Sequence, residues 1–229
     1  MTLDEIKAAI GIKPYFEDGD IGVIYHADCL DILPRIPEKA IDLCIVDPPY
    51  QEGNVKIFPA IKNSIKINGQ ILWFTQPSEI YDLPEKPKQI LVWQEPISPK
   101  PIHKKYLEFL DFIAWYADDN YTFNPILWNL MASQFEDRCI GYNRIHKWEK
   151  PATLMQRFLL VHSNPLDIIL DSFAGSFTAC VAAKQLGRKY IGIEISEKYC
   201  KIGVQRLAQT VMDLPTPKAP EKDKQGSLL

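Results

Sequence analysis

The sequence predicts an α/β protein in which parallel strands form one sheet covered by helices. Three observations carry this. Short apolar runs recur along the 229 residues. The final third alternates strand and helix through short joints, an order that favours parallel strands. Asp28, Asp47, Asp171 and Glu194 each stand at or beside the end of such a run. In a parallel sheet those ends open on one edge, where doubly wound folds bind ligands.

Taken in order, Ile21–His26 ("IGVIYH") reads as a buried strand ending at Ala27-Asp28, and "CLDILPRIP" keeps helical spacing until Pro34 and Pro37 break it. Ile41–Val46 ("IDLCIV") is a second strand, running into Asp47. Asn68-Gly69 reads as a turn before a third strand, Gln70–Thr75. Gln89–Trp93 and Leu110–Tyr116 supply a fourth and fifth, and the prolines from Pro77 to Pro101 keep the elements between them short. Ile168–Asp171 is a strand, Thr178–Leu186 a helix ending at Gly187, Tyr190–Ile195 a strand, and Glu197–Gln209 a helix with Tyr199, Ile202, Val204 and Leu207 available to pack. From about Asp213 the chain is polar, proline-containing and aperiodic, which predicts a disordered tail over 213–229 and a single domain over 1–212.

Composition narrows the class. With 46% hydrophobic and 24% charged residues the chain is globular, and no apolar run is long enough to span a bilayer. The start, "MTLDEIKAAI", is acidic where a secretory signal carries basic residues, so a cytoplasmic protein without membrane contact is expected. The five cysteines form no CxxC pair, which suits packed thiols better than disulfides or zinc. A net charge of −3 gives no global nucleic-acid signature, but a local basic face serves as well, because a phosphate chain feels one face and not the total.

Two stretches ask for chemistry. In "DSFAGSFT" (Asp171–Thr178) a strand enters a loop of small residues before a helix, where Gly175 has free backbone angles and the helix start offers N–H groups. Glu194 ends the next strand, the position from which an acid meets ribose hydroxyls in dinucleotide-type folds. A tight turn beside a solvated carboxylate is the plain alternative. In "AIDLCIVDPPYQEGN" (Ala40–Asn54) an apolar run ends in an acid, two prolines and an aromatic. A strand-ending turn explains that less well.

"VDPPY" (Val46–Tyr50), "WEKPATLMQRFLL" (Trp148–Leu160) and "DSFAGSFTACVAAKQLGRKYIGIE" (Asp171–Glu194) together resemble the DNA amino-methyltransferases, in the motif order of their beta class. The resemblance runs roughly from Gly22 to Leu207 and is poor over about Pro77–Arg144. It implies a Rossmann-like methyltransferase fold with circularly permuted motif order, S-adenosylmethionine as cofactor, double-stranded DNA as partner, and a bacterial or phage origin within restriction-modification. It also implies roles. The exocyclic amine of adenine is a poor nucleophile because its lone pair is delocalised, and two acceptors, the Asp47 carboxylate and the Pro48 carbonyl, would localise it. Pro48 and Pro49 stiffen that carbonyl. Tyr50 would stack on the base, a contact of about 1–3 kcal/mol. The chemistry is positioning and placed dipoles, without a metal, on a base flipped out of the duplex. By the same resemblance Lys150 and Pro151 lie beside the methionine part of the cofactor, Asp171, Phe173, Ala174, Gly175 and Ser176 form its loop, Glu194 meets the ribose, and Asp28 sits near its adenine.

The chain departs from the pattern twice. Phe177 stands where a second glycine is usual, so either its ring turns into the core or it impairs the cofactor site; Ser172 replaces a common proline, a harmless change. Little sequence is left for target recognition, placed within about 77–145. Basic candidates for DNA contact are Lys100, His103, Lys104 and Lys105, then Arg138, Asn143, Arg144 and Lys147. So short a region implies a short target, a homodimer or a partner subunit. Asp47 favours N6 of adenine over N4 of cytosine, where serine is commoner. An RNA methyltransferase, and an impaired methyltransferase fold that only binds nucleic acid or a catalytic partner, are the competing readings.

Overall fold

In a computed structural model, described for residues 1–49, 54–94, 110–124, 134–136 and 149–209, the elements form a single nine-stranded sheet. Its strands are β1 (Phe16–Asp18), β2 (Gly22–His26), β3 (Ile41–Val46), β4 (Ile65–Thr75), β5 (Gln89–Gln94), β6 (Leu110–Ala117), β7 (Gln134–Glu136), β8 (Ile168–Asp171) and β9 (Lys189–Glu194). They lie in the order β1-β2-β9-β8-β3-β4-β6-β5-β7. The central five, β2-β9-β8-β3-β4, are parallel, as expected, while β1 and β6 run antiparallel to their neighbours.

Parallel strands covered on both faces read as continuous apolar runs, and β3, β8 and β9 do so. Each face carries its own core. Helices α1 (Leu3–Ile10), α2 (Cys29–Ile32) and α3 (Phe58–Ser64) bury Ile6, Ile10, Ile32 and Ile61 against one face. On the other, α4 (Ala152–His162), α5 (Thr178–Gln185) and α6 (Glu197–Ala208) bury Leu154, Phe158, Ala182 and Leu207. None of the described helices is long and apolar enough to cross a membrane.

Three details differ from expectation. Asn68-Gly69 is no turn: β4 runs through it, with a register shift against β3 between Ile41 and Leu43. Gly69 is needed there because a Cβ would come within 2.8 Å of the Asp42 carbonyl oxygen. Helix α6 buries Leu207 as expected and adds Cys200 and Gly203, whereas Tyr199, Ile202 and Val204 are only partly covered. Helix α1 was not apparent beforehand; a capping box between Thr2 and Glu5 starts it and Gly11, at φ 65°, ends it.

Candidate active site

The carboxyl ends of β2, β9, β8, β3 and β4 share one edge, and a cleft of about 880 Å³ opens there. Asp28, Asp47, Pro48, Pro49, Lys150, Asp171, Phe173, Ala174, Gly175, Ser176 and Glu194 all line it. Residues separated by up to 166 positions thus meet because the strand order interleaves the two halves of the chain. Pro151 is the N-cap of α4 and does not line the cleft. Tyr50, Lys100, His103, Lys104, Lys105, Arg138, Asn143, Arg144, Lys147 and the tail lie outside the described residues, as does much of the expected recognition region.

Glu194 organises the loop after β8. Its Oε2 accepts the Gly175 N–H at 2.8 Å and its Oε1 accepts the Ser196 N–H at 2.7 Å, so the carboxylate is held while keeping further lone pairs. Asp28 caps α2 by accepting the Leu30 N–H at 2.9 Å. Asp171 accepts the Phe173 N–H at 3.3 Å. Burial pushes the Asp171 carboxyl up to about 8; that hydrogen bond opposes the rise, and the Asp47 and Glu194 carboxylates add to it. The cleft is lined by the carboxyl groups of Asp28, Asp47, Glu149, Asp171 and Glu194 against the ammonium groups of Lys56 and Lys150.

Phe177 does not enter this cleft. Its backbone takes the left-handed conformation, φ 63° and ψ 29°, and its ring is fully buried between β9 and α6. Two glycines make the slot. A Cβ on Gly203 would come within 2.3 Å of the ring, and one on Gly192 within 2.7 Å. The benzyl group occupies volume that two other residues vacate, so the cleft stays open.

A residue that sequence reasoning did not single out ties the motifs together. Arg206, from α6, donates through Nη1 to the Ser176 carbonyl at 2.7 Å and to Glu149 Oε1 at 2.8 Å. Thr178 Oγ1 also donates to Glu149 Oε1, at 3.1 Å. An arginine at the tenth residue of α6 carries no local sign of this contact. Lys150, next to Glu149, spans the two oxygens of Asp47 at 3.1 and 3.0 Å.

The DNA methylase family model matches residues 70–205, more than half of the chain. The chain belongs to the DNA methylase family. Among curated relatives of this DNA methylase, the DNA adenine methyltransferase YhdJ of Escherichia coli (strain K12) is 29% identical over 255 residues, covering 86% of this chain and 86% of that protein. YubD of the same strain is 53% identical over 206 residues, covering 80% and 88%. A solved M1.HpyAVI–SAM complex superposes with a TM-score of 0.72 at 26% identity, over 82% of this chain and all of that one. The fold is accordingly the Rossmann-like methyltransferase fold.

The residues present fit S-adenosylmethionine. The cleft has the size of a cofactor pocket. A sulfonium and an ammonium group answer the excess of acidic over basic side chains, and Glu194 is held with lone pairs to spare for hydroxyls.

Proposed function

We propose that this DNA methylase transfers a methyl group from S-adenosylmethionine to the exocyclic N6 of an adenine flipped out of double-stranded DNA. The observation that carries the reading is the Asp47 carboxylate, placed at the carboxyl end of β3 and lining the same cleft as the Glu194-held loop. A bound S-adenosylmethionine supplies the activated methyl group.

The chain's own residues do the rest. Asp47 and the Pro48 carbonyl accept the two N–H groups of the target amine, which turns its lone pair toward the cleft. Pro48 is buried and its φ is fixed by the ring, so the acceptor is preorganised. Tyr50 stacks on the flipped base. On the cofactor side, Phe173, Ala174, Gly175 and Ser176 cradle the methionine part beside Lys150. Glu194 accepts from the ribose hydroxyls, and Asp28 faces the cofactor's adenine. Lys100, Lys104, Lys105 and Arg144 contact DNA phosphates.

An acid at position 47 supports adenine, since a carboxylate accepts two hydrogen bonds without offering a competing donor. The relative named a DNA adenine methyltransferase supports the same choice. The test is nucleoside analysis of adenine- and cytosine-containing duplex DNA after incubation with the protein and S-adenosylmethionine. N6-methyladenine is expected, and N4-methylcytosine alone would overturn the assignment.

A further inference from the structure

Asp47 is engaged by a side chain of its own fold. The Lys150 ammonium touches both of its oxygens, at 3.1 and 3.0 Å, and lies largely buried, with the Lys150 side chain 10% exposed. The same ammonium is 3.5 Å from Asp111 Oδ2 and 5.0 Å from the centre of the Phe74 ring. Asp111 stands near the start of β6. Because β6 is antiparallel to β4, that start lies at the carboxyl edge, beside Thr75, which pairs with Phe112.

This arrangement conflicts with the role assigned to Asp47. During transfer, positive charge grows on the amine nitrogen, and the Asp47 carboxylate is the group placed to stabilise it. An ammonium spanning both oxygens competes for their lone pairs and opposes that charge. The lysine stem is flexible and its three donors rotate. A second carboxylate within ion-pair distance gives the charge somewhere to go without a return to water, whose loss would be costly in so covered a site.

We propose that Asp111 is a positioning residue for the reaction: it takes over Lys150 as the target amine engages Asp47. The pair Asp47–Asp111 then works as two stations for one ammonium, and the catalytic carboxylate is released when the base is present. The contact with Lys150 holds the Asp47 carboxylate in one orientation. The inference rests on the methyltransferase reading above and deepens it by naming how Asp47 is freed.

The test compares the parent protein with Asp111→Asn and Asp111→Glu, using methyl transfer to unmodified duplex DNA, calorimetric titration of S-adenosylmethionine, and thermal unfolding. Asp111→Asn should lower kcat by about tenfold to a hundredfold, the factor that a charged hydrogen bond carries. Its KM and Kd for S-adenosylmethionine should stay within about twofold, because Asp111 does not line the cleft and Lys150 keeps its contact with Asp47 in the variant. Asp111→Glu, which keeps the charge, should recover most of the loss. The proposal is overturned if Asp111→Asn keeps the parental kcat, if Asp111→Glu is as impaired as Asp111→Asn, or if the fall in activity is matched by weaker cofactor binding or lost stability. A parent protein that binds S-adenosylmethionine yet transfers no methyl group would instead sink the functional reading itself.

Discussion

Phe177 shows how one residue can look disabling in sequence and be accommodated in the fold. The pattern glycine is replaced by the bulkiest kind of side chain, at a backbone conformation that costs an L-residue about 1–2 kcal/mol. Gly192 and Gly203 absorb it. The cost of truncating a buried phenylalanine, about 3–5 kcal/mol, exceeds the strain that glycine would relieve. Phe177→Gly should therefore destabilise the protein by about 1–4 kcal/mol in urea unfolding while leaving S-adenosylmethionine affinity unchanged in the folded protein. A variant that is more stable, or that binds the cofactor much more tightly, would show that the ring does intrude. The substitution was legible as a question and not as an answer, because the slot is built by glycines 15 and 26 positions later that carry no mark of their partner.

At the scale of elements, the acids at strand ends were the legible part. Asp28, Asp47, Asp171 and Glu194 could be placed on one edge from strand order alone, and they meet there. What joins the elements was hidden. Asp111 sits inside the apolar stretch "LDFIAWY", where it reads as the start of a strand, and its nearness to Lys150 depends on β6 being antiparallel. Arg206, near the end of α6, holds the Ser176 carbonyl and Glu149 together. Charge-assisted hydrogen bonds of this kind are worth about 1.5–3 kcal/mol. Arg206→Ala should weaken S-adenosylmethionine binding by about tenfold or more, with Arg206→Lys intermediate, as read by calorimetry. Unchanged affinity in Arg206→Ala would mean that the loop is held by Glu194 alone.

Across the whole molecule, two buried titrating groups pull stability in opposite directions with pH. His162 closes a network behind the sheet. Gln70 Oε1 already accepts the Trp115 Nε1–H at 2.8 Å, so His162 Nδ1 must donate to it at 2.9 Å. Gln70 Nε2 in turn donates to the Thr122 and His162 carbonyls. Burial pulls the imidazole down from 6.5 to about 3. The unfolded chain thus takes up a proton that the folded protein refuses, and stability falls as pH drops from 6.5 toward 3, by up to about 1.4 kcal/mol per unit. Asp171 does the reverse. Its folded value of about 8 lies above the ordinary 3.8, so its contribution is full below 3.8 and is lost as pH rises toward 8. In urea unfolding across pH, His162→Gln should gain less stability than the parent as pH rises from 3 to 6.5, and Asp171→Asn should lose less than the parent as pH rises from 4 to 8. Parental slopes in both variants would contradict this. None of it could be read from sequence, where His162 is one polar residue at the end of an amphipathic helix and burial depends on three other segments.

In the proposed reaction one cleft binds S-adenosylmethionine, and Asp47, at its edge, activates the amine. The most direct measurement is Asp47→Ala, assayed for N6-methyladenine formation and titrated with S-adenosylmethionine alongside the parent. Methyl transfer should disappear while cofactor affinity stays within a few-fold of the parent, since the carboxylate acts on the base. Full methylation by Asp47→Ala would contradict it.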